Sequence, residues 1–279
     1  MTDKKSLIDI IKDHMASGDI KLPVLSQSAE QLQNEVTKED PDMGKVENYI
    51  KMDPTITGEI LKVANSSYYK GIGTVDTIRE ASLRIGISEL ANIVMMVLHR
   101  ENFSSTDPHI NNYLGELWKH SLAIAVGSQW LAKHLALEQI SGRVFIAGMM
   151  HDMGKLFLIT AVEDIKKTDK DFNPPTFLIE KMITGLHTEQ GYELLQKWNL
   201  PEAYCLVARD HHEVEFDTGN MLLAIVRLVN RVCNKMGIGP VCDEEEPIVG
   251  SAEVELLDLS EIAIAELEIK IEDSIGRFN

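Results

Sequence analysis

The residues in this chain best suited to chemistry are imidazoles and carboxylates set far apart along it: Glu116 and His120, His151 beside Asp152, His187, and His211 beside His212. Residues 145–158, FIAGMMHDMGKLFL, place His151 and Asp152 in the middle of an otherwise apolar helical run, with Lys155 one turn later. Burying such a pair is costly unless something satisfies it, because a desolvated imidazole or carboxylate without a partner loses free energy. Two readings fit, a bound cation or an ordinary buried His–carboxylate pair. Gly148 and Gly154 flank the pair. A glycine in a helix interior costs about 1 kcal/mol relative to alanine, so their presence points to close approach by neighbouring backbone or an ion.

The other members are ambiguous one by one. Glu116 and His120 are four apart and share a helical face, which suits a surface hydrogen bond or half of a metal site. His187 falls at the junction before a helix, where it can be a cap or a ligand, and His211 and His212 at a helix end can simply complement the dipole. Taken together, imidazoles and carboxylates without a nearby thiolate suit iron, manganese, zinc, cobalt or nickel. Seven ligands exceed the need of one tetrahedral ion, so one or two divalent transition-metal ions fit, with an open position for a bridging water.

The elements that must carry these residues read as helices almost throughout. Residues 4–17 repeat apolar positions at helical spacing, and a second helix opens after Pro23. In MDPTITGEILKVANSSYY, Asp53 can cap and Pro54 sits at the first position, with Ile56, Ile60, Leu61 and Ala64 on one face and a stop near Asn65 and Ser66. DTIREASLRIG repeats that grammar with Asp76 as cap and Gly86 as stop, and Ser88 begins the next helix. After the joint FSSTDPHINNY a long helix runs from about residue 111 to 134, and residues 141–160 carry the HDMGK segment. Pro174 and Pro175 open another helix, a further one ends at RDHHE, and TGNMLLAIVRLVNRVCNKMG is a core-type helix carrying Asn230. Beyond the acidic loop DEEEP, two short amphipathic helices are expected on the outside.

Composition sets the outer bounds. The 279 residues, 44% of them hydrophobic, allow one large domain or two modest ones with a proper core. A net charge of -17 repels phosphate backbones and argues against nucleic-acid binding. Three cysteines without close pairing argue against a disulfide framework and for a reducing, cytoplasmic setting. The apolar stretches are broken by charge, so no membrane span is expected, and the N-terminus lacks the pattern of a secretory signal.

The sequence resembles the HD superfamily of metal-dependent phosphohydrolases, and its plan is similar to that of the HDOD family, the HD-related output domains of bacterial signalling proteins. LPVL, MDPTITGEILKVANSSYY, IREASLRIG, WKHSLAIA, AGMMHDMGK, HTEQGYELLQKWNLP and RDHHE carry the resemblance over roughly residues 20–236. It implies an all-α fold, with an N-terminal helical lobe (1–106) abutting an HD-like metal-binding lobe (107–240), and the acidic loop and C-terminal helices at 241–279. It further implies Glu116, His120, His151, Asp152, His187, His211 and His212 as metal ligands and Lys155 as the phosphate-contacting lysine, with Asp152 and Lys155 the catalytic candidates. Two departures stand out: Asn230 replaces the superfamily's final aspartate, a weaker and uncharged ligand, and VEFDTGN replaces the GYP signature of cyclic-dinucleotide hydrolases. The expected function is a regulatory signalling protein with a retained metal and a protein partner. The alternative is an active phosphohydrolase on a nucleotide or other small phosphorylated ligand, and a di-iron oxygenase-like use of the scaffold stands third.

Overall fold

Among the described residues six helices precede the long one: α1 (Leu7–Ala16), α2 (Gln27–Val36), α3 (Met43–Lys51), α4 (Pro54–Ala64), α5 (Ile78–Ile85) and α6 (Ile87–Arg100). The computed structural model describes residues 7–16, 27–38, 40–66, 69, 73–100 and 102–278, so LPVL and residues 67–68 of the NSSYY stretch lie outside the described residues. Local chemistry sets most of these ends. Asp53 accepts from the amide of Ile56 ahead of Pro54, and Ile56, Ile60 and Ala64 are buried as their spacing predicts. The cap of α5 is Thr77 rather than Asp76, because Thr77 and Glu80 complete a reciprocal capping box that Asp76 is one residue too early to make. Helix α3, capped by Asp42, was not anticipated from the sequence.

Helix α7 (Pro108–His134) begins three residues earlier than its apolar pattern suggests, since Asp107 accepts from the amides of His109 and Ile110 and Pro108 needs no such acceptor. After a short 3-10 turn (Glu138–Ile140) come α8 (Ser141–Met150), α9 (Met153–Thr168), α10 (Thr176–Lys197), α11 (Glu202–Asp210), α12 (Met221–Lys235), α13 (Ala252–Leu256) and α14 (Glu261–Phe278). Among the described residues there is no strand.

Helix α7 is the spine: α8, α12 and α14 all pack on it, while α10 lies between α9 and α11. Leu117, Ile124 and Leu131 of α7 are fully buried, and each such side chain contributes about 1.5–3 kcal/mol of apolar burial. Helix α14 spans 18 residues and is therefore not short, and it buries Leu267 and Ile271 completely. Helix α6 packs on α8 and so links the first six helices to the rest. The residues Glu138–Thr168 are long and apolar enough to cross a membrane, contrary to the reading of the sequence, but 94% of their most apolar window is buried inside the protein as a core helix would be.

The two glycines beside the His–Asp pair mark close backbone approach. A Cβ on Gly148 would lie 3.0 Å from the backbone of Ala125 on α7, and one on Gly154 would lie 1.9 Å from the carbonyl oxygen of His187 on α10. They let α8 and α9 press against the helices that carry His120 and His187.

Candidate metal centre

Helix α8 stops at Met150 and α9 starts at Met153, so His151 and Asp152 form the turn between two helices rather than the interior of one. That break aims both side chains inward from a single point. His120 comes from the middle of α7 and His211 caps the end of α11. His187 sits in the middle of α10 and not at a helix start, because the helix opened by Pro175 continues unbroken to Lys197.

These elements converge on the carboxylate of Asp152. Its Oδ2 lies 3.2 Å from His151 Nε2, 3.6 Å from His120 Nε2 and 2.7 Å from Lys155 Nζ. Its Oδ1 lies 3.5 Å from His211 Nε2 and 3.6 Å from His187 Nε2. Ligand atoms of His120, His151 and Asp152 fall within 4.8 Å of one another, as do those of His187, His211 and His212. Asp152 thus belongs to the first triad through Oδ2 and turns Oδ1 towards two imidazoles of the second. His120, His151, Asp152, His187 and His211 are all 3% exposed or less, whereas His212 faces solvent.

Each buried imidazole is held by its other nitrogen. Nδ1 of His120 donates to the carbonyl of Ile238 (2.8 Å), that of His151 to Gly148 (2.7 Å), that of His187 to Ile183 (3.0 Å) and that of His211 to Ala208 (2.9 Å). A carbonyl only accepts, so Nδ1 carries the proton and Nε2 presents a lone pair towards Asp152. This is the arrangement by which an outer shell fixes the tautomer of a metal-ligating histidine. For His151 and His211 the acceptors are carbonyls in the last turn of α8 and α11, which lack intrahelical partners.

Electrostatics agrees with the geometry. Burial pushes His120 down to about 3 and His187 to about 4, against the opposing charge of Asp152, and it lowers His211 as well. Burial disfavours the charge on Asp152, yet its neighbours His151 and Lys155 outweigh it and hold the carboxyl well below the usual range. His151 Nε2, Asp152 Oδ1, His187 Nε2 and His211 Nε2 are buried without a hydrogen-bond partner. Each such group costs about 1–3 kcal/mol if left unsatisfied. All four are Lewis bases, so a cation satisfies them together where a hydrogen-bond donor would satisfy one or two. The donor set therefore fits a divalent metal.

Not every expected residue joins. Glu116 is half-exposed and paired with Lys119 at 2.8 Å, outside both triads. Asn230 is buried on α12. The Nδ1 acceptors were not anticipated. Three follow from helical spacing, Gly148, Ile183 and Ala208 lying three or four residues before their histidines, but Ile238 is 118 residues from His120 and leaves no local trace.

Comparison with known proteins places this geometry. A model of the HDOD domain matches residues 22–214. An uncharacterized protein of Treponema pallidum (strain Nichols) is 25% identical over 198 residues, a match spanning 69% of this chain and 38% of that relative. Among solved structures, an HDOD domain protein of unknown function from Geobacter sulfurreducens superposes with a TM-score of 0.72 at 19% identity, covering 96% of each chain. A candidate metal-dependent phosphohydrolase from Shewanella amazonensis SB2B gives 0.69 at 19% identity over 96% of this chain and 98% of its own. A candidate signal transduction protein from Marinobacter aquaeolei VT8 gives 0.72 at 18% identity over 98% of this chain and 66% of its own. At these identities the structural likenesses speak for the all-α fold, while the match over residues 22–214 speaks for descent: the chain belongs to the HDOD family.

Proposed function

We propose that the protein is a regulatory, signal-transducing member of the HDOD family that holds one or two divalent transition-metal ions as a structural or sensing element. The observation carrying this reading is the closed cluster: His120, His151, Asp152, His187 and His211 are almost fully buried, each imidazole turned with its lone pair inward. Closed sites of this kind suit structural metals, whereas catalytic sites keep an open position. Output through a protein partner is part of the proposal. Leu83 and Ile87 support it, being exposed at the rim of a cleft of about 450 Å³ bounded by Met43 and Arg79.

A second reading, a metal-dependent phosphohydrolase, is favoured by Lys155 and His212. With the imidazoles as neutral ligands, Asp152 and Lys155 cancel, so a divalent ion would make this pocket locally cationic inside a protein of net charge -17. Bound there, the ion would supply Lewis-acid activation of water and of a phosphoester. Lys155 would offset phosphate charge, and exposed His212 marks the side from which a substrate could enter.

Metal analysis of the purified protein beside His151→Ala and Asp152→Ala, followed by a phosphoester panel with added manganese, separates the two. Bound metal without turnover supports the regulatory reading. Turnover that vanishes in both variants supports the enzyme, and a wild type that binds no divalent ion overturns the metal in either form.

A further inference from the structure

The four Nδ1 anchors differ in origin. His151, His187 and His211 are each held by a carbonyl of their own or the preceding helix, but His120 depends on Ile238, in the loop that follows α12 and beyond the residues matched as HDOD domain. Gly239 lies directly against the same ring. It has φ +116, and a Cβ there would stand 2.7 Å from His120 Nδ1 and 2.8 Å from its Cβ and Cγ. Only glycine accommodates both the backbone conformation and the contact.

This loop is itself tied down. Arg231 on α12 donates to the Glu246 carboxylate (2.6 Å), the carbonyl of Pro247 (2.8 Å) and Glu253 (2.8 Å). Arg227, one turn earlier, donates to Glu253 (2.9 Å) and to the carbonyl of Asp210 (3.1 Å), the residue before His211. Glu253 is 1% exposed and shared by both arginines. The segment therefore touches the cluster directly through Ile238 at His120, and Glu253 connects it by way of Arg227 to the turn that carries His211.

We propose that residues 237–253 form a positioning clamp for the metal centre, in which the Ile238 carbonyl and the side-chain-free face of Gly239 set the tautomer and orientation of His120, and the arginine ties hold the clamp in place. Gly239 and Arg231 are positioning residues and do not touch the ion. The proposal rests on the metal reading above for its purpose, but its geometry can be judged without metal.

The experiment compares Gly239→Ala with Gly250→Ala. Gly250 also has positive φ, in the same segment, but a Cβ there meets nothing within 4 Å, so it carries the backbone strain without the contact. Nitrogen-15 NMR of the histidine rings in metal-free protein reads the tautomer, and titration with cobalt(II) alone reads the affinity. Wild type and Gly250→Ala are expected to show His120 as the Nδ1–H form. Gly239→Ala is expected to lose it and to bind cobalt(II) about 10- to 100-fold more weakly, the usual effect of losing an outer-shell partner. Arg231→Met, which loosens the clamp without touching the ring, is expected to give a mixture of tautomers and serves if Gly239→Ala does not fold. An unchanged His120 tautomer in Gly239→Ala or, failing that variant, in Arg231→Met, or an equal change in Gly250→Ala, overturns the clamp. If wild type binds no cobalt(II), the metal reading fails and the tautomer comparison alone decides whether the segment positions His120.

Discussion

The two sides of Asp152 are built from the same residue types and behave differently. On the Oδ2 side, His120 and His151 share their carboxylate oxygen with the ammonium of Lys155 at 2.7 Å, so that oxygen already has a positive partner. On the Oδ1 side, His187, His211 and the oxygen itself are buried with no hydrogen-bond partner, and the third imidazole, His212, opens to solvent. One side is closed and charge-compensated; the other is electron-rich and uncompensated. The comparison teaches that a first cation is needed most on the Oδ1 side, where its arrival removes the largest number of unsatisfied groups.

The largest effect should come from Asp152, which both sides share. Asp152→Ala removes the common ligand and also strips the buried Lys155 of its carboxylate. Breaking one partner of a buried pair costs about 3–5 kcal/mol. We expect loss of all bound metal by elemental analysis and a marked fall in urea stability of the metal-free protein. Lys155→Met added to Asp152→Ala should return much of that stability but none of the metal.

Acid should sharpen the contrast next. The folded-state values of His187 (about 4), His120 (about 3) and, away from the cluster, fully buried His99 (about 4) all lie below the ordinary imidazole value of 6.5. The unfolded chain therefore takes up protons first, and stability present above 6.5 is lost progressively as pH falls through these folded-state values. His99 alone accounts for about 3 kcal/mol of that loss once pH has fallen below its folded-state value, at about 1.4 kcal/mol per unit. Urea unfolding at neutral pH and at about pH 5 should show the loss, and His99→Leu should reduce it.

A smaller change is expected from His212→Ala, which removes an exposed ligand. Cobalt(II) affinity should drop by about tenfold with little change in metal-free stability, consistent with the small effects of most surface substitutions. An affinity loss as large as that of His211→Ala would show that solvent-facing His212 counts as a full ligand and would erase the difference between exposed and buried members.

Glu116→Gln should do least. Glu116 pairs with Lys119 on the surface of α7, and such pairs contribute about 0–1 kcal/mol. Metal content and stability should both stay near wild type. Loss of an equivalent of metal would mean that the carboxylate swings in when an ion binds, and Glu116 would rejoin the Oδ2 side.

Much of this protein is legible in its sequence because helices announce themselves locally. Capping residues such as Asp53, apolar spacing such as Ile56, Ile60 and Ala64, and glycines that forgo a side chain at Gly148 and Gly154 each act over a few residues, and each has its expected consequence in the fold. The misreadings have local reasons too. Thr77 outcompetes Asp76 as a cap because its partner Glu80 is three residues on, and His187 lies mid-helix because nothing in ITGLHTEQ breaks the run begun at Pro175.

What the sequence determined on its own was the supply of ligand-type side chains, their helical carriers and their kinship to one family. Tertiary structure alone decided which of them meet. Whether an imidazole presents Nε2 to a neighbour depends on how helices far apart in the chain are packed and on which carbonyl anchors Nδ1. Placing His120 against Ile238, leaving Glu116 outside and turning the two oxygens of Asp152 to different pairs of imidazoles are all consequences of that packing.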